Sequence, residues 1–255
     1  MDTSRPLIFI TNDDGVDSPG IRYLIETVAD MGTVIVVAPD APRSGQASAI
    51  SVNTPLSVTR KPDIAGAEVY SINGTPVDCV KLGMHAVVPR RPDIILSGIN
   101  HGSNSGNSVI YSGTMGAVIE GCMIGIPAIG YSLLHHSWAA DFSQCGDIVR
   151  HITSQVLGTG LPPEICLNVN IPARCTPEGI KVVRAAKGHW TEEYVEYTTP
   201  HGSPFYWLTG KFVNSEPDSP DTDEYWLQRR YATVVPVRPD QSAPDSIPVI
   251  TEILH

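Results

Sequence analysis

Short apolar runs alternate with amphipathic helical patterns along the first 160 residues of the chain. The apolar runs predict buried strands over residues 7–11, 33–38, 68–72, 93–97 and 127–132. Helical periodicity predicts helices over residues 19–31, from residue 76 onward, over 113–124 and over 139–157. Strands that alternate with helices indicate an α/β fold with a mostly parallel sheet flanked by helices.

The pattern changes after about residue 175. Residues 187–224 combine clustered aromatic side chains with Pro, Gly, Ser and acidic residues, which is typical of a functional excursion or an oligomer arm. Residues 231–237 predict a strand that returns to the body. We therefore expect one domain over residues 1–255, with a core (1–175), an extended aromatic-rich arm (187–224) and a C-terminal return to the core (225–255).

Composition and charge narrow the class of protein. A hydrophobic content of 42% with 17% charged residues is typical of a globular chain, and no apolar stretch approaches the ~20 residues that span a bilayer. The net charge of −10 argues against a nucleic-acid polymer as partner. Residues 1–6 lack a signal-peptide pattern, and the five cysteines include no C-x-x-C pair, so we expect reduced thiols and a cytoplasmic protein.

Three loops rich in oxygen donors follow predicted strands. Asp13 and Asp14 follow the first strand, Ser44 lies after the second, and residues 98–114 form a Gly-, Asn- and Ser-rich loop. Loops at the carboxyl ends of parallel strands gather at one sheet edge, where such folds bind ligands. Carboxylate, amide and hydroxyl oxygens suit Mg²⁺, Mn²⁺ or Ca²⁺ rather than Zn²⁺. Asn-Asp-Asp-Gly is also ordinary turn material, so the pair alone leaves both interpretations open.

The stretch from Ser112 to Thr114 precedes a predicted helix. Its amides and hydroxyls suit an anion, although a plain N-cap explains the same residues. His101 lies in the Asn-rich loop, within reach of the site, and a structural or solvent-facing role is equally compatible with its position. The chain has no G-x-S-x-G elbow, phosphate-binding P-loop or dinucleotide-binding fingerprint.

Five motifs in order resemble one family, the SurE survival-protein phosphatases, which are metal-dependent 5'-nucleotidases. The motifs are "ITNDDGVDSPGI", "VVAPDAPRSGQASAIS", "INGTPVDCVKLG", "DIILSGINHGSNSGNSVIYSGTMGAVIEG" and "GIPAIGYSL". The resemblance implies a Rossmann-like core and a homodimer or homotetramer formed through the C-terminal arm. It also places the family's metal ligands on Asp13, Asp14, Ser44 and Asn100.

The residues and the resemblance together predict a phosphomonoesterase that acts on nucleoside 5'-monophosphates. One divalent cation per subunit, Mg²⁺ or Mn²⁺, would be held by the four ligands, with Asp13 and Asp14 as catalytic residues. The phosphate would contact a second set, namely Asn12, Asn104, Ser112, Gly113 and Thr114. Activated water is preferred over attack by an aspartate, because both carboxylates are committed to the metal.

The alternative from another class is a receiver-like metal-binding module that signals without turnover. Receiver domains also place paired acids after their first strand, but they need a phospho-accepting Asp at the end of a later strand. Here "DIILSGIN" has Ser97 and Asn100 there, which weighs against that hypothesis.

Overall fold

The computed structural model describes residues 5–255. Residues 1–4, which belong to the segment 1–6 in which the sequence shows no signal-peptide pattern, lie outside the described residues. Its helices are α1 (Pro19–Val28), α2 (Pro76–Ala86), α3 (Gly113–Met123), α4 (Gly146–Thr159), α5 (Asp223–Leu227) and α6 (Ile247–Leu254). Its strands are β1 (Leu7–Thr11), β2 (Thr33–Pro39), β3 (Val58–Ile64), β4 (Ala67–Ile72), β5 (Ile94–His101), β6 (Ala128–Leu133), β7 (Cys166–Ile171), β8 (Ile180–Val182), β9 (Gly188–Thr191), β10 (Tyr194–Thr198), β11 (Pro204–Leu208), β12 (Lys211–Asn214) and β13 (Ala232–Val237).

A nine-stranded sheet in the order β3-β4-β2-β1-β5-β6-β7-β13-β8 forms the body of the protein. The six central strands, in the sheet order β4-β2-β1-β5-β6-β7, are all parallel to their neighbours. β3 runs antiparallel to β4, and β13 runs antiparallel to β7. The predicted α/β fold with a mostly parallel sheet is therefore confirmed. The carboxyl ends of β1, β2 and β5 meet at one edge, because these three strands are neighbours.

Successive side chains of β1 point to opposite faces of the sheet, so they contribute to two different apolar layers. Ile8 and Ile10 pack in the cluster that contains the inner faces of α1 and α4. Leu7 and Phe9 point to the opposite face and pack with α2 and α3. Because helices cover both faces of the sheet, all five residues of β1 are buried and the strand reads as a continuous apolar run.

Side-chain caps fix the starts of α1 and α2, whereas one predicted helix begins later than expected. Ser18 caps α1, and Thr75 forms a capping box with Asp78 at the start of α2. The helix predicted over 139–157 instead begins at Gly146. Asp141 accepts hydrogen bonds from both the backbone N–H and the hydroxyl of Ser143 (2.9 Å each), which holds the preceding residues in a turn.

Several elements were not predicted. The edge strand β3 is mostly exposed, so it lacks the apolar run that marks a buried strand. β7, "CLNVNI", is fully buried but alternates apolar residues with asparagines. The terminal helix α6 carries the apolar sequence "IPVITEIL" with no buried residue.

The predicted arm consists of two antiparallel ribbons. β9 pairs with β12, and β10 pairs with β11 beyond it. Every residue of β10 and β11 is exposed. Large apolar and aromatic side chains therefore face outward along this hairpin, including Tyr194, Tyr197, Tyr206, Trp207 and Leu208. Between residues 5 and 255, no helix has both the length and the apolar character needed to cross a membrane.

Candidate active site

The two adjacent carboxylates lie in a tight turn between β1 and α1. Within this turn the Asn12 side-chain amide donates to the Gly15 carbonyl (3.0 Å) and to Ser18 Oγ (2.8 Å). Gly15 has a φ of +96°, a conformation that residues with a Cβ rarely adopt. Because the turn ends β1 at once, Asp13 and Asp14 are free of the strand's strict alternation and both lie buried at the carboxyl edge of the sheet.

Asn12 itself does not have the position expected of a phosphate contact. Its side chain is fully buried, and its amide nitrogen donates to two acceptors within the turn. A phosphate oxygen needs a hydrogen-bond donor, and this amide has none left to offer. The structure therefore gives Asn12 a turn-stabilising place, and we omit it from the phosphate site.

Asp13 faces the N-terminus of α3. Its Oδ1 accepts a hydrogen bond from the Thr114 hydroxyl (2.6 Å), and Ser112 Oγ accepts from the Met115 amide (3.0 Å) as the helix cap. The Thr114 hydroxyl proton is thus used within the protein, whereas Ser112 accepts as the cap and keeps its own O–H proton to donate. The Ser112 hydroxyl and the amide of Gly113, which is among the helix-end N–H groups without an intrahelical acceptor, remain candidate phosphate donors.

Asn104 belongs to a buried polar network that joins the loop after β5 to β6 and β7. Its side-chain amide donates to Ser132 Oγ (2.9 Å), while its backbone N–H donates to Asn170 Oδ1 (2.8 Å). Asn168 donates in turn to the Asn104 carbonyl (2.8 Å). These bonds give Asn104 a role in anchoring the loop that follows β5, and one of the two protons of its side-chain amide is used in the bond to Ser132.

Asp14 links β1 to the end of β5. Its Oδ2 accepts two hydrogen bonds from His101, one from the backbone N–H (3.0 Å) and one at ring Nδ1 (2.9 Å). The preceding residue, Asn100, is 9% exposed and donates its side-chain amide to the Gly102 carbonyl (2.9 Å). This bond orients the Asn100 amide so that its oxygen is available as an acceptor.

The loop that carries Ser44 is hydrogen-bonded to the β1–α1 turn and to the residues that precede α3. The Arg43 amide donates to the Asp13 carbonyl (2.7 Å), and the Ala47 amide donates to the Tyr111 carbonyl (3.3 Å). Gly116 accommodates the loop closely, since a Cβ there would lie 2.2 Å from the Ala47 carbonyl oxygen. Ser44 lies on the exposed side of this loop, next to the residue that bonds Asp13.

The charges and donor types of this site fit a hard divalent cation. Burial, followed by the neighbouring charge of Asp14, raises the pKa of Asp13 to about 6, although the Thr114 hydrogen bond opposes the shift. A cation would relieve both causes. Among residues 5–255 no group of three or more His, Cys, Asp or Glu side chains is placed to hold a metal ion. Ser44 and Asn100 carry neutral oxygens of the kind that would accompany the two carboxylates around a hard cation.

Metal affinity should fall in acid, because a proton competes with the cation for Asp13. With a pKa of about 6, the carboxyl is mainly ionised at pH 7.5 and mainly protonated at pH 5. We expect the dissociation constant for Mn²⁺ to rise about tenfold per pH unit below pH 6. Titration calorimetry at pH 5, 6, 7 and 8 measures this slope, and an affinity that is constant from pH 5 to 7 would contradict it.

Asp223 supports the loop that follows β5. It is fully buried, and its Oδ2 accepts from the Gly106 amide (2.8 Å), while Oδ1 accepts from the amides of Ala186 and Glu224 (2.8 Å each). One carboxylate thereby joins the loop after β5 to the start of the arm. Asp223, Asn168 and Asn170 were not predicted from the sequence. Asparagines that alternate with apolar residues in "CLNVNI" did indicate buried polar groups in need of hydrogen-bond partners.

Replacing Asp223 with alanine should destabilise the fold. It leaves three amides without acceptors, two of them in buried bonds, at about 1–3 kcal/mol each, so at about 2 °C per kcal/mol we expect the melting temperature to fall by roughly 6–18 °C. Differential scanning calorimetry measures the shift, and Asp218→Ala at an exposed position is the matched control. If Asp223→Ala has the same melting temperature as Asp218→Ala, the hydrogen bonds of Asp223 contribute little to stability.

Comparison with known proteins places this geometry in a family. The family model described as "Survival protein SurE" matches residues 8–192. The chain is 47% identical to "5'-nucleotidase SurE" of Phocaeicola vulgatus and 50% identical to the protein of that name from Christiangramia forsetii, with 95% of each chain covered in both comparisons.

The solved structures give the same answer. The crystal structure of the SurE protein from Aquifex aeolicus superposes with a TM-score of 0.84 at 35% identity, covering 98% of this chain and 100% of that one. The family resemblance of the five motifs is confirmed by these matches. With its paired aspartates, oxygen-rich loops and sheet order in place, the chain belongs to the SurE family.

Proposed function

We propose that this chain is a divalent-metal-dependent 5'-nucleotidase, which hydrolyses nucleoside 5'-monophosphates to nucleoside and phosphate. The observation that carries the proposal is the pair of buried carboxylates, Asp13 and Asp14, beside the N-terminus of α3. A buried pair of like charges is costly unless a cation compensates it. Relatives named 5'-nucleotidase SurE, which match nearly the whole chain, support the activity.

The proposed ligands of the ion are Asp13, Asp14, Ser44 and Asn100, and Mg²⁺ or Mn²⁺ suits this all-oxygen set with one ion per subunit. When bound, the ion supplies positive charge against the phosphoryl oxygens and activates water. The chain's own contribution is to hold these donors. Thr114 fixes Asp13, His101 fixes Asp14, and the Gly102 carbonyl fixes the Asn100 amide.

The end of α3 is the proposed cradle for the phosphate. The Gly113 amide would donate to a phosphoryl oxygen, and the dipole of α3 favours negative charge there. Phosphoryl transfer asks a protein mainly for positioning and for stabilisation of charge, and rigid backbone donors supply both. Because Asp13 and Asp14 serve as metal ligands in this proposal, neither is assigned as the nucleophile.

The partners proposed are a small nucleotide and further copies of this chain. The exposed aromatic face of the β10–β11 hairpin would pack in a homodimer or homotetramer, since solitary chains rarely expose so large an apolar patch. Sedimentation equilibrium at micromolar concentration tests this, and a monomer would contradict it. We also propose a cytoplasmic location, because all five cysteines are free thiols. A receiver-like module without turnover finds no support.

Phosphate release from a nucleotide panel tests the activity. Protein stripped with EDTA should be inactive on AMP, GMP, CMP and UMP, and adding Mg²⁺ or Mn²⁺ should restore turnover. A variant in a ligand position, Asp14→Asn, should stay inactive with metal present. Full activity after EDTA treatment, or equal activity in Asp14→Asn, would contradict the proposal.

A further inference from the structure

His101 has an unusual environment for a histidine at the end of a strand. Two of its donors, the backbone N–H and ring Nδ1, converge on the same oxygen, Asp14 Oδ2, at 3.0 and 2.9 Å. A ring nitrogen that faces a carboxylate oxygen donates its proton to it, so Nδ1 is the protonated nitrogen of this ring. One oxygen of Asp14 is therefore occupied twice, and the other is left for a cation.

The ring is also immobilised by its neighbours. Trp138 stacks on it with the two planes 8° apart and the ring centroids separated by 5.3 Å, while Phe142 meets it edge-on at 5.0 Å. The side chain is only 5% exposed. Its second nitrogen, Nε2, is buried with no hydrogen-bond partner among residues 5–255. Such burial is costly for a polar atom, and the aromatic packing together with the Asp14 bond offsets it.

We propose that His101 is a positioning residue for Asp14, holding its Oδ2 so that the carboxylate stays turned toward the metal. The inference rests on the proposed metal site and deepens it. Carboxylates that bind metals are generally held by hydrogen bonds from neighbouring groups, and loss of such a partner typically weakens metal binding by about 10–100-fold. Without the imidazole, Asp14 keeps only the bond from the His101 backbone N–H, and repulsion by the negative charge of Asp13 favours rotation of the carboxylate away from the metal.

Two substitutions separate the hydrogen bond from the packing. The amide nitrogen of asparagine is two covalent bonds from Cβ, as is Nδ1 of histidine. His101→Asn therefore keeps a hydrogen-bond donor for Asp14 and loses the ring. His101→Phe keeps an aromatic ring between Trp138 and Phe142 and loses the donor. His151→Ala, at an exposed position of α4, is the control for loss of a histidine that touches no proposed ligand.

The readout is calorimetric titration of the EDTA-stripped full chain with Mn²⁺, after circular dichroism has shown that each variant is folded. We expect His101→Phe to bind Mn²⁺ about 10–100-fold more weakly than wild type, and His101→Asn to stay within about threefold. In AMP hydrolysis, His101→Phe should need more Mn²⁺ for half-maximal rate and approach the wild-type rate at saturation. The control should match wild type.

The reverse order would overturn the proposal. If His101→Phe binds Mn²⁺ like wild type while His101→Asn does not, the ring serves packing alone. If neither differs from wild type, His101 does not position Asp14. Because calorimetry needs no turnover, a wild-type protein that binds Mn²⁺ but leaves AMP intact would contradict the nucleotidase proposal and leave the role of His101 to be decided by its variants. A wild-type protein that binds no Mn²⁺ overturns both.

Discussion

Asp13→Asn is expected to abolish AMP hydrolysis and at the same time to stabilise the metal-free protein. The first effect follows because the substitution removes one of the two charged ligands proposed for the cation. We expect a loss of roughly 10³-fold or more in kcat/KM at saturating Mn²⁺, the scale seen when a central charge-stabilising group is lost.

The gain in stability has a separate cause. The folded-state pKa of Asp13 is raised from 3.8 to about 6, so the carboxyl favours folding only while it is protonated. That contribution is fully present below pH 3.8 and is lost as the pH rises through 6. Asparagine keeps an acceptor for Thr114 without the charge. At pH 8 we expect the variant's free energy of unfolding to exceed that of metal-free wild type by on the order of 3 kcal/mol.

Urea unfolding at pH 8 and pH 4, with EDTA present, measures this difference, which should be much smaller at pH 4. Asp17→Asn is the matched control, because Asp17 belongs to the same turn and is exposed. An Asp13→Asn protein that is inactive and also less stable than wild type at pH 8 would contradict this account. It would mean that the charged carboxylate stabilises the metal-free fold instead of destabilising it.

Gly113→Ala should cost much of the activity although it adds only one methyl group. The added Cβ would lie 2.8 Å from Asp13 Cβ and 3.0 Å from its Oδ2, and the nearer of these atoms, Cβ, is bonded directly to the backbone and cannot swing aside. Either the carboxylate or the start of α3 must shift by several tenths of an ångström. Small displacements of catalytic groups are costly, so we expect kcat/KM to fall by about 10²-fold.

Gly158→Ala is the matched control for this change. Gly158 lies in α4 with nothing within 4 Å of its hypothetical Cβ, so alanine there should leave activity unchanged and stabilise the helix by about 0.5–1 kcal/mol. Steady-state kinetics on AMP with both variants decides the matter. If Gly113→Ala keeps wild-type kinetics, the tight contact between Asp13 and α3 is not needed for catalysis.

The sequence was sufficient to predict the α/β fold and to predict that the loops after β1, β2 and β5 lie at the same edge of the sheet. Continuous apolar runs such as "LIFIT" occur in strands covered on both faces, and parallel neighbours bring their carboxyl ends to one edge. The convergence of Asp13, Asp14 and Asn100 follows from that topology. β7 escaped prediction because its side chains at Asn168 and Asn170 are polar and yet buried, satisfied by a network that involves distant residues.

The direction in which each polar side chain is used could not be predicted from the sequence. Asn104 and Thr114 both have groups that suit a phosphate, but tertiary contacts engage them with Ser132 and Asp13. These partners are 28 and 101 residues away in sequence, so local pattern carries no information about them. For the same reason the sequence left the role of His101 open, and only the folded chain joins it to Asp14. The bond from Asn12 to Gly15 spans only three residues, and the turn-forming sequence Asn-Asp-Asp-Gly was a local indication of it.

Anomalous diffraction from crystals soaked in Mn²⁺ tests the central claim most directly, because it locates the ion without assuming any activity. The account predicts one strong peak per subunit, within coordination distance of carboxylate oxygens from both Asp13 and Asp14, with Ser44 and Asn100 as the neutral ligands. A peak elsewhere, or no peak between the two carboxylates in a protein that hydrolyses AMP, would contradict the metal site on which the proposed function rests.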